Sequence, residues 1–565
     1  MNSPLSSEEI LSLYANGELV AAIGQYHHED GEQALFTERC VSLHNNGSID
    51  LTSVVAQPEF AQLETQPFFI AQSFFCDAIP QLSAQSTAMM QCCRTLIDKS
   101  GADGSTSLVI AAFGKWCEAN PKQSLGIVDL AREGDALAIG FVTLALQGSN
   151  DLSVAIEFVR QFDGLRRVGA IRALPGLVHK SATAGETVLS TLEPLTDKST
   201  DDVVRASAVR AVLDLMRAGS FKETVERVID NASDTPGPHT LHTLAEIFWL
   251  HQASLDRKII QKLLFALEDV DPSHTSTIGT IDMGLYRLLE SSHRADVVRY
   301  LTSVLSHGVL TLDAFASTKH ALALDKNGLL FELLVTWLSS DSAALYANAV
   351  LLVRMTNDRA FSGSIEPHGL SPAEQLFFCH KVVGFLFLYS VTCCSLLVSA
   401  LRAADPSIRC HVEKLLSEIM LVNYGGKPKD YLSSLGVDDP AYEVVQSVLE
   451  TDREFHRAMD SVGVVKELHP SESQLNLVHQ QSYDRMRTAQ KEAEKSSVID
   501  MLASRSVILH GNRMLTYVTD MGGTRKAIEL TMQSHGVSWE LPRLEVLDPI
   551  GLDIMLRSLR QERRP

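Results

Sequence analysis

Asp201-Asp202-Val203-Val204-Arg205-Ala206-Ser207-Ala208-Val209-Arg210-Ala211-Val212 is the stretch on which the fold turns. Apolar residues return every three or four positions, and acids open the segment, where they can accept from the free N–H groups of a helix start. Nothing in it alternates with the period of two that a strand requires. An offset of 38 residues brings back the same pattern: Arg167 falls on Arg205, Ala170 on Ala208, Arg172 on Arg210 and Ala173 on Ala211, with Leu177 then on Leu215. The rhythm opens again at Asp405-Pro406-Ser407-Ile408-Arg409. Arg205 to Arg409 spans 204 residues, which reads as five units of about 41.

Working outward, helical periodicity runs along most of the 565 residues, and strand alternation bounded by hairpin turns is almost absent. Segments of roughly 10–16 residues alternate with short polar breaks, among them Asn120-Pro121, Gly148-Ser149-Asn150, Asp234-Thr235-Pro236-Gly237-Pro238 and Asp271-Pro272. Many short helices with short connections predict antiparallel neighbours stacked as a repeat. Small Ala or Gly is expected at the close crossing within each helix pair, with Leu, Val and Ile filling the seam against the next pair.

Residues 201–212 resemble the signature of the HEAT/armadillo-like repeat superfamily: Asp, two apolar residues, Arg, then Ala and Leu-type positions at helical spacing. The resemblance can be drawn over residues 105–423 and implies an all-α fold, a right-handed α-α superhelix; it specifies fold and not function. Residues 1–104 read as an N-terminal helical cap. Residues 424–470 read as a linker or irregular helical segment, and residues 471–565 as a C-terminal long helix (471–506) with a small module.

Composition is that of a globular chain, 45% hydrophobic, 21% charged and only 6% aromatic, which excludes disordered and low-complexity classes. Lys and Arg number 49 against 69 Asp and Glu, a formal charge of −20, a poor match for duplex nucleic acid. The acidity lies in residues 1–470, which carry −21; residues 471–565 balance at +1 and end in Arg557, Arg560, Arg563 and Arg564. The first ten residues show no basic-then-apolar leader, and nine sparse cysteines fit reduced, buried thiols, so the expectation is a cytoplasmic protein. Residues 382–401 carry no charge over a bilayer-spanning length. Tyr389-Ser390-Val391-Thr392 at their centre looks like a turn, so a buried helical hairpin is expected and membrane insertion is the alternative.

Catalytic chemistry finds little support. Cys379-His380, Cys393-Cys394 and Cys410-His411 cluster within 33 residues, but without C-x-x-C or H-E-x-x-H spacing they read as structural thiols, as do Cys92-Cys93. His27-His28 read as surface residues. Met521-Gly522-Gly523-Thr524-Arg525-Lys526 lacks the spacing of a phosphate loop and reads as a turn, and no G-x-S-x-G elbow is present. The chain is expected not to be an enzyme and to need no metal, cofactor or small-molecule substrate. Two binding features stand out. An Arg ladder (Arg166, Arg167, Arg172, Arg205, Arg210) would lie along one edge of a stack at about 10 Å spacing, suited to acidic side chains or phosphates, unless it closes inter-repeat salt bridges instead. The long helix with Arg557, Arg560, Arg563 and Arg564 would be a docking element or a solvated cap. The expected function is a non-catalytic scaffold or adaptor holding a partner protein, one with a basic surface. The alternatives are an immunity- or antitoxin-like inhibitor of a basic toxin or enzyme, and an accessory subunit binding nucleic-acid phosphates through the ladder.

Overall fold

In the computed structural model, the residues described are 5–25, 30–101, 106–178, 182–216, 222–291, 293–325, 328–403, 405–462, 471–495, 508–510, 513–519, 525–531 and 540–565. His27, His28 and Met521 to Thr524 lie outside them. The chain divides into two compact units, residues 1–322 and 323–565.

The first unit opens with α1 (Ser7–Ala15), α2 (Leu19–Gln25), α3 (Asp30–Asn45), α4 (Leu51–Val54), α5 (Pro58–Ala61), α6 (Thr65–Ala78) and α7 (Ser86–Ser100). Ser6 starts the first of these with a capping box: its hydroxyl accepts from the Glu9 N–H, and its own N–H donates to the Glu9 carboxylate at 2.6 Å. Antiparallel pairs follow: α8 (Thr106–Ala119) with α9 (Pro121–Glu133), α10 (Ala136–Ser149) with α11 (Leu152–Gln161), α12 (Gly164–Val178) with α13 (Ala182–Leu192), α14 (Asp202–Met216) with α15 (Lys222–Ser233), α16 (Pro238–His251) with α17 (Arg257–Ala266), and α18 (Thr275–Leu289) with α19 (Arg294–Ser306).

The even-numbered helices from α6 to α18 pack successively on one another and form one row; α7 packs on α9, α11 on α13, α15 on α17 and α17 on α19 in the other. Glycine sets the closeness of the even row. A Cβ on Gly169 of α12 would stand 2.3 Å from the Val142 side chain of α10, and one on Gly284 of α18 would stand 2.4 Å from the Phe248 ring of α16. The small residues therefore serve contacts between successive pairs. They were expected at the crossing within a pair, and this is corrected by the structure.

Within each unit a recurring helix cap ties one helix pair to the next. Asp202 accepts from the N–H groups of His239 (2.7 Å) and Thr240 (3.2 Å), and the Thr240 hydroxyl donates back to the Asp202 carbonyl. Asp282 accepts from Ser317 and Thr318, both at 2.8 Å, and the Thr318 hydroxyl returns to the Asp282 carbonyl. In the second unit Asp358 accepts from Val391 and Thr392, and the Thr392 hydroxyl returns to the Arg359 carbonyl. All three threonines are fully buried. Each acidic side chain fills the unpaired N–H groups of a helix about one repeat further along.

After α20 (Ala316–Leu324), the second unit contains α21 (Leu329–Leu338), α22 (Ala343–Arg354), α23 (Pro372–Leu386), α24 (Ser390–Ala403), α25 (Pro406–Lys414), α26 (Lys427–Ser433), α27 (Tyr442–Val462) and α28 (Glu472–Lys495). Residues 382–401 are the end of α23 and most of α24 folded against each other, with the bend at residues 387–389 and core positions on both arms. No helix among the described residues is long and apolar enough to cross a membrane. The helix expected over 471–506 is seen over Glu472–Lys495, opened by Ser471 and Gln474 capping each other's N–H groups.

All-α is the class of the chain, with one addition that was not expected. β1 (Ile508–His510), β2 (Arg513–Thr519) and β3 (Arg525–Thr531) form an antiparallel meander in the order β1-β2-β3, with Thr516 opposite Ile528. The Met521-Gly522-Gly523 signal sits between β2 and β3.

The chain then returns to the helices. Glu540 accepts from the N–H groups of Gly426 and Lys427, at the start of α26, and Asn423 accepts from the Leu544 N–H. From there α29 (Arg543–Leu547) and α30 (Pro549–Gln561) bring the strap onto α23. Lys381, 1% exposed, donates to the carbonyls of Leu559 (3.3 Å), Arg560 (2.5 Å) and Glu562 (2.7 Å), plugging the end of α30. Burial lowers the Lys381 pKa, and Glu562 and Asp341 oppose that shift. Arg560 donates to the Gly384 carbonyl and Arg564 to Glu374.

Two predictions follow from these contacts. Asp282→Ala leaves two buried N–H groups without acceptors and should cost about 2 kcal/mol in urea unfolding; Asp282→Asn, which keeps an acceptor oxygen, should cost less. Hydrogen bonds from Ser371, then Arg564, hold the Glu374 pKa down at about 2, below the ordinary 4.5. The folded form is thus favoured by the ionised carboxylate above pH 4.5, and that contribution disappears as the pH falls towards 2. The urea-midpoint advantage of the wild type over Glu374→Gln, present at about pH 6, should close across that window.

Candidate protein-binding face

Arg205 and Arg210 sit five residues apart on α14, about 140° around a helix of 3.6 residues per turn. They cannot share an edge, and the structure separates them. Arg205 turns inward and is 2% exposed. Its guanidinium donates to five carbonyls: Thr196 at 3.0 Å, and Asn231, Ala232, Asp234 and Thr235 at the end of α15 at 2.6–3.1 Å. Burial pulls its pKa down, while Asp202, Asp197 and Asp234 hold it up. Arg205 is a structural plug for a helix C-terminus, so it leaves the expected ladder. Arg167, its counterpart one unit earlier, is partly buried and pairs with Asp163 at 2.9 Å. Arg166 stacks on the Phe162 ring and donates to the Arg132 carbonyl.

The second arginine of each unit behaves differently. Arg172 is exposed on α12 and makes no hydrogen bond or ion pair among the described residues. Arg210 has a side chain 52% exposed and pairs with Glu246 of α16. Both line one hollow on the even row with Ser207, His239 and His242, and both line its continuation towards Asp214. Arg172 also borders a second hollow over α8 and α10, walled by Ile110, Leu137, Phe141 and Leu144 and floored beside Gly140. The even row thus carries an apolar trough running into a basic one.

The tail arginines divide in the same way. Arg560 and Arg564 hold the strap to α23, as does Glu562 through His380 at 2.5 Å, whereas Arg557 pairs with Asp553 on its own helix and Arg563 is exposed. The expected copy at Arg409 does not match Arg205 either. Arg409 is exposed on α25, and hydrogen bonds between successive helix pairs join residues 29–39 apart, so a step of 41 drifts out of register.

Cys379, Cys393 and Cys394 are core residues, and burial pushes the Cys379 thiol up to about 12; Cys410 is exposed. Among the described residues no group of three or more His, Cys, Asp or Glu is placed to hold a metal ion. Inter-repeat salt bridges do exist: Arg210 of the expected ladder meets Glu246 on the even row, and on the odd row Arg132 meets Glu157, Arg227 reaches Glu193 and Lys262 reaches Asp230.

Sequence reasoning missed the residues that join successive helix pairs: Asp282, Asp358 and the buried Thr240, Thr318 and Thr392. The signal was present as an Asp followed by a Thr 34–38 positions later. His239 and His242 were also missed; a lone histidine on a helix has no spacing to mark it.

Neither a family model nor a curated protein matches the chain. Among solved structures it is similar to a crystal structure of an engineered protein, at 15% identity over 80% of this chain and 99% of that one, with a TM-score of 0.27. A likeness at that score carries no argument about fold or function.

The two kinds of arginine separate in a stability assay. Arg205→Ala strands five carbonyls and should destabilise by about 3–5 kcal/mol, while Arg172→Ala should change the melting curve by no more than about 0.5 kcal/mol. Equal effects would contradict this assignment.

Proposed function

We propose that this chain is a non-catalytic scaffold or adaptor that holds a partner protein on the even-row face of its first unit, whose paired rows are turns of a HEAT-like right-handed superhelix. The observation that carries the proposal is the trough on that face. It crosses several helices, joins an apolar hollow to a polar one, and has at the junction Arg172, which pairs with no described residue. Such a surface spreads contacts over many units, which suits a protein ligand.

The acidic body favours a partner that is basic overall, since a net charge of −20 accelerates association with an oppositely charged protein. An immunity- or antitoxin-like inhibitor is one form of that activity. The phosphate-ladder alternative loses support with Arg205 turned inward. We place the protein in the cytoplasm, in keeping with thiols that are mostly buried and unpaired.

Purification of the full chain from its native host, with crosslinking and mass spectrometry, tests the reading. A partner at defined stoichiometry, crosslinked to α12, α14 and α16, is expected, and its association rate should fall as salt rises. The double variant Arg172→Glu, Arg210→Glu should lose the partner with an unchanged melting curve. Crosslinks confined to other surfaces, or turnover of a substrate by the purified chain, would overturn the proposal.

A further inference from the structure

The geometry points to a carboxylate anchor: the trough on the even row seats a protein segment in which an Asp or Glu, held between Arg172 and Arg210, stands beside a bulky apolar residue lodged over α8 and α10. This inference rests on the scaffold reading and specifies the ligand of the same face.

Three observations lead to it. Arg172 presents a guanidinium fork that no described residue occupies, on an exposed helix surface, where a planar carboxylate can be met by two parallel hydrogen bonds. Arg210 is across the same hollow, half exposed and paired among the described residues with Glu246; His239 adds an exposed imidazole. Arg172 is common to this hollow and to the apolar one, so the acid and the apolar anchor must be close neighbours along the bound segment. Gly140 and Ser207 line the two hollows with little bulk, which lets a backbone approach.

The chemistry selects a carboxylate over a phosphate. Glu246 and Asp214 border the arginines, so the hollow already holds two negative charges. A monoanion is tolerated there, whereas a dianionic phosphoryl group meets both at close range. The local anchor and the overall charge act on different quantities. The acidic body governs encounter, and the Arg172 contact governs how long the complex lasts.

The test uses the full chain, panned against a random displayed 16-residue peptide library. Enriched peptides should pair Asp or Glu with an adjacent Leu, Ile, Phe or Met. Their affinity should fall at least about tenfold on Arg172→Glu and remain unchanged on Arg160→Glu, the same charge change on the odd row. Two further readouts exclude a merely structural effect. Glu246→Gln, which frees Arg210, should tighten binding, and Arg172→Glu should accept peptides in which Lys replaces the acid. Enriched peptides without an acid, equal binding to Arg172→Glu, or no enrichment at all would overturn the anchor. A phosphoserine version binding tenfold tighter than the Asp version would overturn the choice of carboxylate. The scaffold reading is tested separately by the native partner and its crosslinks, so an anchor that fails while those crosslinks map to α12, α14 and α16 leaves that reading standing.

Discussion

A helix of ten to fifteen residues leaves four N–H groups and four carbonyls unpaired at its ends, a large fraction of its backbone. In a chain built almost entirely from such helices those ends are the dominant polar problem, and buried ones cannot be left to water. The solution here is supplied from outside the helix. Asp202, Asp282 and Asp358 fill the N-termini of helices further along the chain, and Arg205 and Lys381 fill C-termini with cationic donors. Each contact spans about one repeat or, for Lys381, ties in the strap. The same hydrogen bonds that satisfy the backbone therefore fix the register of one element on its neighbour.

This explains what was legible in the sequence and what was not. Helical class, short helices and a local repeat were readable because burial of one face imposes a period of 3.6 and small residues mark close approach. The fold-back of residues 382–401 was readable because twenty uncharged residues containing five hydroxyls suit a core better than lipid. Register was harder. Aligning Arg205 with Arg409 matched a buried arginine with an exposed one, since loop lengths vary and a fixed step accumulates error. The Asp-to-Thr relation at 34–38 positions follows the register faithfully, because it is the contact itself, but it involves only two residues per unit and has no local pattern around it. The β-meander escaped for a related reason: its strands are short, and Arg513, Thr516 and Lys526 give it no sustained apolar alternation.

The candidate face was half legible. The repeated pair Arg-x4-Arg was visible in the sequence, and helix geometry then decides which member faces inward. Residues five apart point about 140° from each other, so one member of the pair faces its neighbours' carbonyls and the other faces solvent. The same residue type thus carries opposite duties within one motif. Composition cannot tell them apart, and a ladder counted from the sequence mixes plugs with open donors.

Net charge misleads in a similar way when taken as a description of the surface. A body at −21 suggests an acidic face throughout, yet much of its acid is used locally: at helix starts, in the odd-row pairs Arg132–Glu157, Arg227–Glu193 and Lys262–Asp230, and in caps such as Asp282. On the even row Arg210 pairs with Glu246, while Arg172 pairs with no described residue. Long-range attraction and short-range recognition can then have opposite signs on one molecule without conflict, because the first is a sum over all charges screened within about 8–10 Å and the second is set by the few groups a partner displaces water from.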